Sequence, residues 1–237
     1  MSLSGQTVVV IGGSTGIGLE TARLARAEGA DVVLAARNPD RLRAVAEELG
    51  AVRHTAFDAA DADALEGFFE SSPEPVDHVL VSAGRPYYAP LAEFDIDQAK
   101  RAFDEHLWLA FRLAKLAPGR VRGSLAFISG TGARRPGIGL SAIAADTAAM
   151  PAVVANLALE IAPVRVNLIA PGFVDTPLSA SLLGEGLEAR REELRATLPI
   201  GRVVGPQDIA ALAIHLMTNT ALTGATFDVD GGQQLVR

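Results

Sequence analysis

The run Gly12-Gly13-Ser14-Thr15-Gly16-Ile17-Gly18 follows an apolar stretch, Thr7–Ile11, and precedes a helical pattern that reaches about Glu28. Glycines at such a junction let the backbone turn sharply and approach a bound diphosphate. The helix start adds free N–H groups and a partial positive charge. The spacing is Gly-x3-Gly-x-Gly and not the more familiar G-x-G-x-x-G, so the turn alone also fits a packing role. A second position bears on the same chemistry: the next apolar run, Asp31–Ala36, ends in Ala35-Ala36-Arg37-Asn38. A carboxylate there would take a ribose 2′-hydroxyl and repel a 2′-phosphate, whereas a guanidinium pairs with the phosphate through two parallel hydrogen bonds. Arg37 therefore points to NADP(H), against the alternative of a solvated surface arginine.

Residues of this kind need a rigid frame. Short β-branched runs alternate with longer helical ones: Thr7–Ile11, Asp31–Ala36, Val52–Phe57, Val76–Val81, Leu125–Ile128, Arg165–Ile169 and Thr226–Val229. Continuous apolar strands separated by helices predict an α/β fold, a single doubly wound parallel sheet of Rossmann type with helices on both faces. Asn38 and Pro39 read as the N-cap and first residue of a helix running to Leu49. Ser71-Ser-Pro-Glu-Pro75 reads as a loop, and Ser179–Leu198, rich in Leu, Glu and Arg, as an inserted amphipathic helical pair. With no repeat, low-complexity tract or linker, residues 1–237 are expected to form one domain with a small helical insertion near 178–198.

Composition narrows the classes. The net charge of −7 argues against nucleic acid, because phosphate contacts demand a basic face. Nineteen of the 21 basic residues are arginines, and they are scattered. The absence of cysteine removes disulfides, thiolate metal sites and thiol nucleophiles, and fits a cytoplasmic setting. His54, His78 and His215 lack metal-ligand spacing, so no metal site is expected. The N-terminal residues Met1-Ser-Leu-Ser-Gly-Gln lack the pattern of a signal peptide. The weakly charged stretch Ile138–Ile161 carries Asp146, Pro151, Asn156 and Glu160, which marks a buried Ala-rich helix and not a membrane span.

Several motifs in order resemble the short-chain dehydrogenase/reductase family over nearly the whole chain. Beside Gly12–Gly18 these are Asp58 in Phe57-Asp58-Ala59, and Val81-Ser82-Ala83-Gly84 where the family has Asn-Asn-Ala-Gly. Asn167–Thr176 (NLIAPGFVDT) resembles the Pro-Gly turn, and Asp230-Gly231-Gly232 the C-terminal signature. The resemblance implies a cofactor site built from Gly12, Ser14, Thr15, Gly16, Ile17 and Gly18, from Arg37 and Asn38, and from Asp58 and Ala59. Ser82, Ala83 and Gly84 would join them, with Pro171, Gly172, Val174 and Thr176. It also implies a homodimer or homotetramer, through close approach of the Ala-rich helix to its copy.

The same resemblance calls for a Ser, a Tyr thirteen residues later, a Lys four beyond it, and an Asn on an earlier helix. In register, those positions hold Gly130, Ile143, Thr147 and His106. A slip of one residue would bring Ser129 to the Ser position but still supply neither Tyr nor Lys. An Ile moves no proton and a Thr carries no charge, and general acid–base help is worth roughly 10²–10⁴-fold. The catalytic residues are thus unknown from sequence. Substitute donors are Tyr87 and Tyr88, which equally suit loop packing beside Pro86 and Pro90, and His106, which equally suits a satisfied core histidine. Ser129 and Ser141 read as a cofactor-side hydrogen bonder and a turn residue. Two functions follow: an NADP(H)-binding oxidoreductase with a non-standard or impaired active site, acting on a small carbonyl or alcohol, or a catalytically inactive nucleotide-binding sensor or scaffold.

Overall fold

A computed structural model describes residues 2–72 and 74–236. The readings that involve Met1, Pro73 and Arg237 fall in part outside the described residues. The apolar runs form β1 (Thr7–Ile11), β2 (Asp31–Ala36), β4 (Val76–Val81) and β7 (Thr226–Val229) within the expected bounds. Three strands differ at their ends. β3 is Arg53–Ala56, shorter than expected: Val52 and Phe57 still each donate one backbone hydrogen bond to β2, but the paired register covers Arg53–Ala56 alone. β5 starts earlier (Val121–Ile128), since Val121 pairs with Val76 ahead of a register shift. β6 runs on to Pro171 (Arg165–Pro171), where Pro171 pairs with Val229 of β7.

All seven strands are parallel in one sheet of order β3-β2-β1-β4-β5-β6-β7. The reversal of direction at β1/β4 is a topological switch point, the place where such sheets leave a crevice beyond the carboxyl ends of their strands. One face packs against α1 (Gly16–Ala27), α2 (Pro39–Leu49) and α9 (Pro206–Thr218), and Val8, Val10, Val32 and Leu34 join that core. The other face packs against α3 (Ala62–Glu70), α5 (Leu109–Leu116) and α6 (Ser141–Glu160), with Val9, Ile11, Val79 and Phe127. Strands buried on both faces account for the uninterrupted apolar runs of the sequence.

Helix starts follow local chemistry. Asn38 accepts from the Arg41 N–H ahead of Pro39, and Asp61 accepts from the N–H groups of Asp63 and Ala64. α4 (Ile96–Phe103) opens on Asp95 in the same way, then continues into a single π turn, Asp104–Trp108, before α5. The helical insertion consists of α7 (Pro177–Leu183) and α8 (Leu187–Thr197), separated by one 3₁₀ turn. α6 is long and apolar enough to be weighed as a membrane span. Its residues Asp146, Thr147, Met150, Val154 and Leu157 are nevertheless buried in the protein, as expected of a packing helix.

Candidate active site

A groove of ≈ 510 Å³ opens at the carboxyl ends of β1, β2, β3 and β4. Its floor is the glycine turn. Gly12 has φ +92°, and a Cβ built on it would lie 2.7 Å from the Ala83 nitrogen; one on Gly18 would lie 2.3 Å from the Gly12 carbonyl oxygen. Neither position can carry a side chain without opening the turn. Thr15, the N-cap of α1, makes no side-chain cap, and no acidic residue occupies the first turn. Among the described residues the first N–H groups of this twelve-residue helix therefore have no side-chain cap, and they stand at the groove beside backbone that glycine keeps bare. That cradle fits a dinucleotide diphosphate.

Of the residues named from sequence, Gly12, Ser14, Thr15, Gly16, Ile17, Arg37, Asn38, Asp58, Ala59, Ser82, Ala83, Gly84 and Thr176 line this groove. Gly18 sits behind the turn, packed on Gly12. Pro171, Gly172 and Val174 lie outside the lining. Pro171 accepts from the Thr131 N–H, Gly172 packs on Asp230 and Gln233, and Val174 is buried in a bridge with Val204. Thr176 caps α7, its Oγ1 accepting from the Ser179 N–H at 3.3 Å.

The groove also holds residues that the sequence reading did not single out, above all Glu105, Arg41 and Arg85. Glu105 is only 7% exposed. Its Oε1 accepts from Arg37 Nη1 (3.3 Å) and Arg101 Nε (3.2 Å), and its Oε2 from the Arg85 backbone N–H (2.9 Å). Arg101 also reaches Asp58 Oδ2 at 3.1 Å. Buried carboxylates survive only with such partners. Glu105 lies in the π turn, where helical periodicity breaks, so its burial has no sequence signal beyond its nearness to His106.

The positions that the resemblance aligns with catalysis, Gly130, Ile143 and Thr147, lie near one another. A Cβ on Gly130 would lie 3.7 Å from Thr147 Cγ2, and one on Gly132 would lie 3.4 Å from both Ile143 Cγ1 and Thr147 Oγ1. Gly130 thus faces α6. The Thr147 hydroxyl donates to the Ile143 carbonyl at 2.7 Å and is already satisfied. Ser129 Oγ is buried without a hydrogen-bond partner among the described residues.

The substitute donors separate clearly. Tyr87 Oη accepts from the Asp95 N–H at 2.7 Å and its ring meets Phe94 edge-on, which makes it a loop staple. Tyr88 is half exposed, and desolvation pushes its phenol up, away from the neutral range a proton donor needs. His106 packs its ring on Gly84, with Nδ1 donating to the Ala102 carbonyl at 3.1 Å and 3.7 Å from Asp146 Oδ2. Asp146 is buried, its Oδ1 has no partner among the described residues, and burial pushes its carboxyl up against the opposing pull of His106. His106 does not line the groove; Gly84 stands between them.

Comparisons with known proteins agree with this architecture. A family model described as enoyl-(acyl carrier protein) reductase matches residues 11–234. The chain is 29% identical to short-chain dehydrogenase/reductase ATR9 of Stachybotrys chlorohalonatus, over 98% of each chain. Among solved structures it resembles the MalC reductase/Diels–Alderase of Malbranchea aurantiaca, with 26% identity, 98% of each chain covered and a TM-score of 0.91. It also resembles a small-chain dehydrogenase in complex with NADPH, with 30% identity, a TM-score of 0.83, and 97% of this chain and 99% of that one covered. The matches run through the switch-point groove as well as the sheet, and on that footing the chain belongs to the short-chain dehydrogenase/reductase family of oxidoreductases.

Proposed function

We propose that this protein is an NADP(H)-dependent oxidoreductase of the short-chain type whose active site departs from the family's. The observation that carries the reading is the groove itself: a glycine cradle at one end of the crevice and Arg37 on its wall. Bound NADP(H) supplies the hydride exchanged with a carbonyl or alcohol carbon. The chain's own residues do the rest. The N-terminus of α1 receives the diphosphate, Arg37 the 2′-phosphate, Asp58 the adenine edge, and Thr176 the nicotinamide amide. With Gly130, Ile143 and Thr147 at the family's catalytic positions, no phenol–ammonium pair is present to move the substrate proton. His106 and Asp146 lie across the Gly84 backbone from the groove, on a side from which they could take part.

A second reading is a catalytically silent nucleotide-binding protein. The cluster of Gly130, Ile143 and Thr147 favours it, since it holds no titratable group. In either case we propose a homodimer or homotetramer, because Ala145, Ala148, Ala152, Ala155 and Leu159 form one exposed apolar stripe along α6.

Fluorescence titration with NADPH and NADH, followed by a panel of carbonyl compounds and alcohols, tests the proposal. Micromolar NADPH binding with turnover is the expected result. Tight binding with no turnover of any substrate supports the silent reading. Failure to bind either nucleotide refutes both.

A further inference from the structure

Arg37 is not the only arginine at the adenosine end. Arg101, on the last turn of α4, shares the Glu105 Oε1 oxygen with it, at 3.2 Å against 3.3 Å for Arg37. Arg101 is not a simple helix-surface pair, because its Nη2 also crosses to Asp58 Oδ2 beyond the end of β3. Arg101 is not itself part of the groove lining, but it bridges two residues that are, Glu105 and Asp58. Glu105 is buried and accepts from three donors, so it serves as a fixed anchor for both guanidinium groups. The arginine side chains stay accessible, at 48% exposure for Arg37 and 65% for Arg101. Among the described residues, the Arg37 side chain makes no other hydrogen bond and the Arg101 side chain only those two.

Charge points the same way. Arg37 and Arg101 pair with Asp58 and Glu105, two charges of each sign, and Arg41 and Arg85 also line the groove, which leaves an excess of two positive charges around it. A phosphate monoester carries about −1.5 to −2 near neutral pH. Two guanidinium groups held on one carboxylate oxygen are close enough for a single phosphate to accept from both. A ribose 2′-hydroxyl offers neither the charge nor the acceptors.

We infer that Arg101 is a second arginine of the 2′-phosphate site, set beside Arg37 by Glu105, and that the two together select a 2′-phosphorylated nucleotide. The inference rests on the NADP(H) reading but assigns a residue that the reading does not need.

The test uses the full chain with 2′,5′-ADP and 5′-AMP as probes, in calorimetric titrations of wild type, Arg37→Met, Arg101→Met and Arg101→Lys. Arg101→Met is expected to weaken 2′,5′-ADP about tenfold, one charge-assisted contact. 5′-AMP binding should stay within about twofold. Arg101→Lys should recover part of the loss, which a merely structural role would not give. Arg101 is exposed and Glu105 keeps its bonds to Arg37 and to the Arg85 N–H, so thermal melts should stay close to wild type. Equal weakening of both probes by Arg101→Met, or no effect on either, overturns the assignment. If Arg37→Met alone abolishes the preference and Arg101→Met leaves it intact, the second arginine is refuted while the NADP(H) reading stands. A wild type that does not distinguish the probes overturns both.

Discussion

His78 is a buried imidazole whose neutrality should be visible in the acid stability of the protein. It lies in β4, 4% exposed, with Nδ1 2.8 Å from Ser124 Oγ and Nε2 2.9 Å from Gln6 Oε1. Burial lowers its pKa from 6.5 to about 4, helped by the Arg165 guanidinium and opposed by Asp77. A pKa depressed in the folded state means that the unfolded chain binds the proton better. The stabilisation is therefore complete above pH 6.5 and is lost as pH falls from 6.5 towards 4. The full shift corresponds to about 3 kcal/mol, of which about 1.4 kcal/mol is lost between pH 7.5 and pH 5.5. For a chain of this length that is a drop of about 3 °C in Tm. Urea unfolding of wild type and His78→Gln at the two pH values isolates this contribution from every other titrating group. The stability difference between the two proteins should change by about 1.4 kcal/mol, wild type losing more towards acid. A change below about 0.3 kcal/mol would refute the reasoning, as would an imidazole that protonates near pH 6 by NMR.

Three further outcomes are expected. Gly18→Ala must displace the Gly12 carbonyl, 2.3 Å from the new Cβ, so it should cost about 1–3 kcal/mol in urea unfolding and weaken NADPH binding more than tenfold. Gly130→Ser combined with Ile143→Tyr and Thr147→Lys should raise carbonyl reduction by about 10²-fold. There is room for the serine, whose Cβ meets only ordinary contacts at 3.6 and 3.7 Å. A triple variant that folds, binds NADPH and gains nothing would count against these positions as the site of chemistry. Ala148→Arg, on the exposed stripe of α6, should shift light-scattering mass from oligomer to monomer, and an unchanged mass would remove that stripe from the interface.

The sheet was legible because its strands are buried on both faces, which leaves uninterrupted runs such as TVVVI and DVVLAA. Strand ends were less so: β5 enters through Arg122 and Gly123, which carry no apolar signal, yet its backbone is already paired at Val121. At the site, the places of the glycine turn and Arg37 in the groove could be read because they are local, set by the turn and by the end of one strand. Glu105 and Asp146 could not. Their burial depends on partners far along the chain, Arg37 and Arg85 for the first and His106 for the second. Sequence alone expects such carboxylates in solvent. Pro171, Gly172 and Val174 fall beyond the groove lining because β6 runs further than its apolar core and carries that turn against the C-terminal segment.

The two oxygens of Glu105 face different parts of the molecule. Oε1 holds the arginines at the adenosine end, and Oε2 holds the Arg85 N–H at the root of the segment that carries Tyr87 and Tyr88. A ligand that draws the arginines towards itself changes what this carboxylate offers to the segment on its other side. Linkage then works in both directions: if an occupied cofactor groove alters the affinity of that segment for a second ligand, the second ligand alters cofactor affinity by the same factor. One buried side chain thus offers a route by which the affinities of two molecules depend on each other, whichever arrives first.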